Sequence, residues 1–327
     1  MGSNTTETLE QISPSRLLEE VRDILICPEC HAPLRLGTAD FACTGCGRTY
    51  PIVRGIPRFV PDEDYVGNFG FEWTTHSQTQ LDHAGNQTTA LQFRANTRID
   101  PEELRGKLVL DAGCGMGRYA EVASRYGARV IGVDLSRAVE SARRNLADRE
   151  NVQILQANLF KLPFPPETFD FIYSIGVLHH TPDCEAAFRG LVKLLKPGGT
   201  IVIWLYQGYN SSSYRMSDIY RKITTRLPAR MLHSMCYISV PGYYVDAVLN
   251  KLRLRPIAQV FRMLLPMSYH PDWHWRVLDT FDWYSPKYQS KHTYEQVFRW
   301  FESEGLINNR VMTFPVGVSG QKPQEQK

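Results

Sequence analysis

Residues 108–120 read LVLDAGCGMGRYA: an apolar run, an aspartate, then glycines at 113, 115 and 117 ahead of a helix-forming segment. Glycine reaches backbone conformations closed to other residues and lets the main chain approach a ligand closely. A strand that breaks into such a loop and then into a helix aims backbone N–H groups and a helix N-terminus at one point. That strand needs a sheet, and the following residues supply one. ARVIGVDL (128–135), NVQILQAN (151–158), FDFIYSIGVL (169–178) and TIVIWLY (200–206) read as strands. GRYAEVASRYG (117–127), SRAVESARRNLADR (136–149) and CEAAFRGLVKLLKPGG (184–199) lie between them with helical periods. Strands alternating with helices of this length predict βαβ units and a mostly parallel sheet. The alternation lapses after residue 206, then resumes with a helix over 293–305 and two short strand candidates, RVMTF (310–314) and VGVSG (316–320), expected as an antiparallel hairpin at the sheet edge.

The glycine loop narrows the ligand. A pyrophosphate site uses G-x-G-x-x-G, whereas here the glycines alternate strictly and Asp111 stands two residues before the first. That acid repels a phosphate and attracts an ammonium. Asp134 ends the next strand, where a carboxylate can accept hydrogen bonds from both hydroxyls of a ribose. The residues therefore favour a ligand that joins a ribose to a cationic amine.

Four of the seven cysteines form a second pattern: Cys27 and Cys30, twelve residues, then Cys43 and Cys46. Two C-x2-C knuckles offer four thiolates to one tetrahedral zinc ion. With all four positions filled by protein, such a zinc is structural. Cys114, Cys184 and Cys236 have no comparable partners and read as small packed residues rather than nucleophiles.

A net charge of +3 is too small to suggest a nucleic-acid binder by itself. Apolar residues at 43% allow a sizeable core. The most apolar stretch, residues 231–249, contains His233, Pro241 and Asp246, which argues against a membrane span. The first residues lack the pattern of a secretory signal, so a cytoplasmic location is expected.

The ordered motifs VLDAGCGMGR, VIGVDLS, LQANLFKLPF, FDFIYSIGVLHH and LLKPGGTIVIWLY resemble those of class I S-adenosylmethionine-dependent methyltransferases, over roughly residues 88–206 and 293–322. The resemblance implies an α/β fold with a Rossmann-like seven-stranded sheet whose last strand is antiparallel. It implies that Gly113 and Gly115 lie under the methionine part of S-adenosylmethionine, that Asp134 holds the ribose, and that Asn158 and Leu159 flank the adenine. Asp111, Cys114, Arg118, Leu135 and Ser174 complete the expected cofactor set. The family usually has an aspartate where this chain has Asn158; an asparagine carbonyl also accepts the adenine amino hydrogens. The cysteine segment resembles small zinc-ribbon proteins that activate tRNA and protein methyltransferases as separate subunits, here fused ahead of the enzyme.

Domain expectations follow: a disordered tail over 1–13, a zinc ribbon over 14–60, a linker with N-terminal cap helices over 61–106, the cofactor-binding core over 107–206 and 291–327, and a helical lid over 207–290. The lid holds 11 Lys/Arg against 5 Asp/Glu and many aromatics. Two readings stand for it, a basic, aromatic acceptor pocket or a helical cap whose basic face is solvated; His270, His274, Asp282, Trp283 and Tyr284 are the expected pocket residues, and Trp73 and Arg94 are expected to close over the cofactor. His179 and His180, after the fourth core strand, are the candidate general bases, with Asp282 and Tyr284 beside the acceptor. The expected reaction is in-line methyl transfer to a small-molecule acceptor, foremost O-methylation of a sugar-bearing or specialised metabolite. RNA methylation through the ribbon is the rival, weakened by only four arginines in residues 24–60. A lipid-type acceptor taken at a membrane surface is a further alternative, given the lid's cationic amphipathic helices. The oligomeric state is left open.

Overall fold

The structure is a computed structural model that describes residues 16–60, 67–83, 86–209 and 212–324. The tail assigned to 1–13 lies outside the described residues. The chain begins with a short helix α1 (Arg16–Val21), then a four-stranded antiparallel ribbon: β1 (Leu34–Leu36), β2 (Asp40–Cys43), β3 (Thr49–Val53) and β4 (Ile56–Pro57). Three cap helices follow: α2 (Gly67–Thr75), α3 (Thr88–Thr97) and α4 (Pro101–Leu104).

The core alternates as its hydrophobic runs predict: β5 (Leu108–Ala112), α5 (Arg118–Arg125), β6 (Arg129–Asp134), α6 (Ala138–Asn145), β7 (Val152–Gln156), β8 (Phe169–Ile175), α7 (Cys184–Lys193) and β9 (Leu195–Trp204). β5 and β7 are buried at every residue, as strands covered on both faces must be. A helical lid comes next: α8 (Ser212–Thr224), α9 (Ala229–Cys236), α10 (Ser239–Lys251), α11 (Arg255–Leu264) and α12 (Trp273–Tyr284). The chain then returns to the sheet with α13 (Tyr294–Ser303), β10 (Ile307–Val311) and β11 (Gly317–Gln321).

The seven core strands run in the order β10-β11-β9-β8-β5-β6-β7. β11 is antiparallel to both of its neighbours, and the pairs among β5 to β9 are parallel. The hairpin differs from expectation in detail. Its first strand lies three residues earlier and its second one residue later than the sequence suggests, and β11 sits inside the sheet while β10 takes the edge. The apolar residues of 316–320 go where burial is greatest, and the polar INNRV of β10 stays half-exposed.

The ribbon is welded to the opposite edge. Phe59 N–H donates to Gln156 O at 2.8 Å, and Ile26 N–H donates to Pro163 O at 3.0 Å. Phe41, Tyr50 and Phe59 share one buried cluster with Leu155 and Phe164 of the core.

Candidate active site

The strand order reverses on either side of β5, so the loops after β5 and β8 diverge and leave a crevice at the carboxyl ends of the strands. The glycine loop forms its floor. Gly113 holds φ at +91°, and a Cβ built there meets Val177 Cγ1 at 2.3 Å, so no side chain fits. The N–H groups of Gly113 and Cys114 both donate to Val133 O, which pins the loop against the neighbouring strand.

α2, β9 and the lid roof the crevice and enclose a cavity of about 390 Å³. Of the cofactor residues expected from sequence, Gly113, Cys114, Gly115, Arg118, Asp134, Leu135 and Leu159 line it. The Asp134 carboxylate accepts from Gly115 N–H at 3.0 Å, Ser136 N–H at 2.8 Å and Ser136 Oγ at 2.7 Å. Burial pushes its pKa up while the Ser136 and Gly115 hydrogen bonds hold it down.

Three expected cofactor residues lie off the cavity wall. Asp111 is buried in β5 beneath the loop, and burial lifts its carboxyl to about 7. Ser174 Oγ donates to Ala112 O at 2.7 Å, which ties β8 to β5 and leaves its side chain buried. Asn158 Oδ1 accepts from Phe160 N–H at 3.0 Å, so a local turn occupies its carbonyl.

The opposite wall departs further from expectation. α12 turns Trp275, Leu278, Asp279, Asp282 and Trp283 toward the cavity, positions i, i+3, i+4, i+7 and i+8 of one helical face. Glu72 and Trp73 of α2 and Tyr206 after β9 join them. This wall of the cavity is therefore aromatic and acidic, which fits the solvated-face reading of the lid's cations rather than a basic pocket. The lid's net positive charge is a property of its outer surface.

Glu72 is 1% exposed, and neither carboxyl oxygen has a hydrogen-bond partner among the described residues. Burial raises its pKa well above the usual carboxylate range, and Asp282 and Asp279 add to that. Burial likewise takes Asp279 to about 7, with Ser268, donating at 3.0 Å, opposing. Asp282 accepts from Tyr206 OH at 2.6 Å.

The two histidines separate. His180 lines the cavity, and its Nδ1 lies 3.0 Å from Tyr288 O. A carbonyl only accepts, so Nδ1 carries the proton and Nε2 is the basic atom of the neutral ring. Burial lowers the His180 pKa, and Asp282 raises it. His179 is fully buried off the cavity wall, stacked on Tyr206 at 4.0 Å, with neither ring nitrogen hydrogen-bonded. Burial, His180 and His292 depress its pKa well below the ordinary value. The structure thus removes His179 as a general base.

Tyr284 also falls away, because its hydroxyl donates to Pro266 O at 2.5 Å inside the lid. His270 stacks on Trp275, and His274 on exposed Trp273; neither lines the cavity. Arg94 is exposed, 3.8 Å from Asp100, whereas Trp73 does lie over Gly115, with Nε1 3.3 Å from where a Cβ would stand. Glu72, Asp279 and Tyr206 were missed by the sequence reading. For Tyr206, the position at the carboxyl end of β9 was the signal; for Asp279, the helical face around Asp282.

At the far edge the four ribbon cysteines converge, their sulfurs all within 4.8 Å of one another. Cys27 and Cys46 stand 3.7 Å apart, and Cys30 and Cys43 3.3 Å. A tetrahedral ion with Zn–S bonds of about 2.3 Å needs sulfur separations of about 3.8 Å, so the set fits one zinc. The ribbon contributes no residue to the cavity wall.

Residues 110–203 match the family described as "Methyltransferase domain". Among curated proteins, the chain is 36% identical over 107 residues to sterol 24-C-methyltransferase ERG6 of Saccharomyces cerevisiae, covering 31% of this chain and 27% of that one. It is 34% identical over 100 residues to ubiquinone biosynthesis O-methyltransferase of Coxiella burnetii (30% and 43%). It is 35% identical over 115 residues to phosphoethanolamine N-methyltransferase 2 of Caenorhabditis elegans (33% and 26%). The chain spans less than half the length of each.

Proposed function

We propose that this methyltransferase domain, closed by its cap helices and lid, moves the methyl group of S-adenosylmethionine to a small-molecule acceptor by in-line displacement. The observation that carries the reading is the single cavity with the glycine loop and Asp134 on one wall and the polar lid face on the other. The cofactor supplies a sulfonium-bound methyl, an electrophile that needs little further activation. The chain's part is alignment, exclusion of water and proton removal.

In this reading Gly113, Cys114 and Gly115 receive the methionine portion, Asp134 the ribose and Leu159 the adenine. His180 takes the acceptor's proton at Nε2, and Asp282, fixed by Tyr206, stabilises the imidazolium that forms. The acceptor we favour is a hydroxyl-bearing, sugar-type or specialised metabolite. Carboxyls at Glu72, Asp279 and Asp282 accept from its hydroxyls, and Trp73, Trp275 and Trp283 cover its C–H faces. A second reading is an amine acceptor, favoured by the two unpartnered oxygens of Glu72. The relatives' names span carbon, oxygen and nitrogen acceptors, so they do not choose between these.

Against RNA, Arg48 pairs with Glu29, and Arg54 and Arg58 with Glu140, so three of the four ribbon arginines are already engaged within the chain. Zinc at Cys27, Cys30, Cys43 and Cys46 has a structural role, holding the ribbon to the sheet edge.

The test is calorimetric titration of S-adenosylhomocysteine into wild type and Asp134→Ala, then methyl-donor consumption with sugars, amines and RNA in separate reactions. Binding lost in folded Asp134→Ala, with turnover on a small molecule, supports the reading. Unchanged affinity in the variant, or turnover on RNA alone, refutes it.

A further inference from the structure

The lid's outer layer is built the wrong way round for a surface bathed only in water. Its buried apolar cluster is small: Leu232, Cys236, Val277, Phe281 and Tyr284. In α11, Ile257, Val260 and Leu264 fall at i, i+3 and i+7, a single face, yet all three are about half exposed and only Ala258 is buried. An amphipathic helix normally turns that stripe to the core. α11 packs against α8 and α10, which add Ile223 and Val248, and Leu252 follows at the end of α10; each is more than half exposed. Contiguous exposed apolar surface of this kind marks an interaction site.

Charge selects the partner. Between residues 219 and 264 the only acid is Asp246. It is buried and held by Arg262, with Nε 2.7 Å from Oδ1. Lys222, Arg226, Arg230, Lys251, Arg253 and Arg255 are all exposed on the same stretch. A second copy would set cations against cations, which like-charge repulsion opposes. No helix among the described residues is long and apolar enough to cross a membrane. Asp218 of α8 is exposed but paired with Lys291, Nζ standing 2.6 Å from Oδ2, so a surface that joins apolar side chains to a rim of cations suits the headgroup region of an anionic bilayer.

We propose that α8, α10 and α11 dock the protein onto an anionic lipid surface. The inner side of the same lid, α12, packs against α8 and α10 and lines the cavity, so membrane contact and acceptor chamber occupy the two sides of one helical layer. Docking itself requires no methyl transfer.

The test uses the full chain saturated with S-adenosylhomocysteine, sedimented with phosphatidylcholine vesicles with and without phosphatidylserine, at low and high salt. Binding is expected only with phosphatidylserine and should fall as salt rises. Each cation removed near such a surface weakens binding about fivefold, so Arg253→Gln with Arg255→Gln costs about 25-fold. Leu252→Glu with Ile257→Glu, both on the exposed face, abolishes binding and leaves S-adenosylhomocysteine affinity unchanged. No binding at low salt overturns the proposal, as do variants that bind like wild type. A concentration-dependent dimer dissolved by Leu252→Glu would assign the face to a second copy and also overturn it.

Discussion

Gly113→Ala puts the floor of the cavity under a quantitative test. The added Cβ lies 2.3, 2.5 and 2.8 Å from Cγ1, Cγ2 and Cβ of Val177. Rotation about χ1 gives no relief, because a β-branched side chain exchanges one methyl for the other. Overpacking of this kind costs about 1–3 kcal/mol. The backbone at φ +91° costs an L-residue about 1–2 kcal/mol more. Together the substitution should destabilise the protein by about 2–5 kcal/mol in urea unfolding. Val177 immediately precedes the 3-10 turn Leu178–His180, so whatever moves it also moves a wall of the cavity, and S-adenosylhomocysteine affinity should drop. A double-mutant cycle separates the terms. Val177→Ala removes the two methyl contacts but leaves the 2.8 Å approach to Cβ and the backbone strain, so the double variant should recover part of the overpacking cost of about 1–3 kcal/mol relative to additivity. A Gly113→Ala protein within about 0.5 kcal/mol of wild type, or strictly additive single effects, would refute the account of why this position is glycine.

The histidines should part company in kinetics. His180→Ala should lower kcat about 100-fold or more and remove an ionisation from the pH profile, whereas His179→Ala should lower Tm and leave that ionisation in place. Asp111 has a folded-state pKa raised from 3.8 to about 7, so it favours the folded protein below pH 4 and that advantage is lost as pH rises through about 7. Asp111→Asn should therefore flatten a pH-dependent loss of about 4 kcal/mol, measured by denaturation across that range, and an unchanged slope would show that Asp111 is not its source. Metal analysis should find about one zinc per chain; chelation should lower Tm and detach the ribbon from the sheet by hydrogen exchange, and Cys43→Ser should do the same.

The strands and the glycine loop were legible because burial on both faces writes continuous apolar runs and a positive φ demands glycine. The cysteine cluster was legible because only a few spacings bring four sulfurs to one ion. The acceptor chamber was not. Its sign depends on which face of α12 turns inward, and charge summed over 207–290 mixes that face with the solvent side. His179 and His180 are adjacent in sequence but about 120° apart around a 3-10 turn, which sends one to the core and the other to the cavity. Tyr284 illustrates the same limit: it is one residue beyond Trp283, and that step turns it from the chamber into the lid's own core. Asp111 and Ser174 match the positions expected of cofactor contacts, yet Asp111 is buried beneath the loop and the Ser174 hydroxyl is consumed in tying β8 to β5.

The way the main sheet ends on either side has a consequence for how the chain meets other proteins. A strand with unpaired backbone groups recruits foreign strands and seeds aggregation. On one side Arg58, at the end of the ribbon, bridges to Gln156 of β7, and its guanidinium bonds the Gln156 side chain at 2.7 Å, so that margin is sealed by the chain's own N-terminal part. On the other, β10 is short, polar and irregular: its register slips between Ile307 and Arg310, and Asn308 takes φ +55°. Neither margin is a template for strand addition. With zinc held by the four cysteines as proposed, stripping it would unseal the first of them, and the loss should show first as sheet-edge aggregation rather than as loss of the cavity.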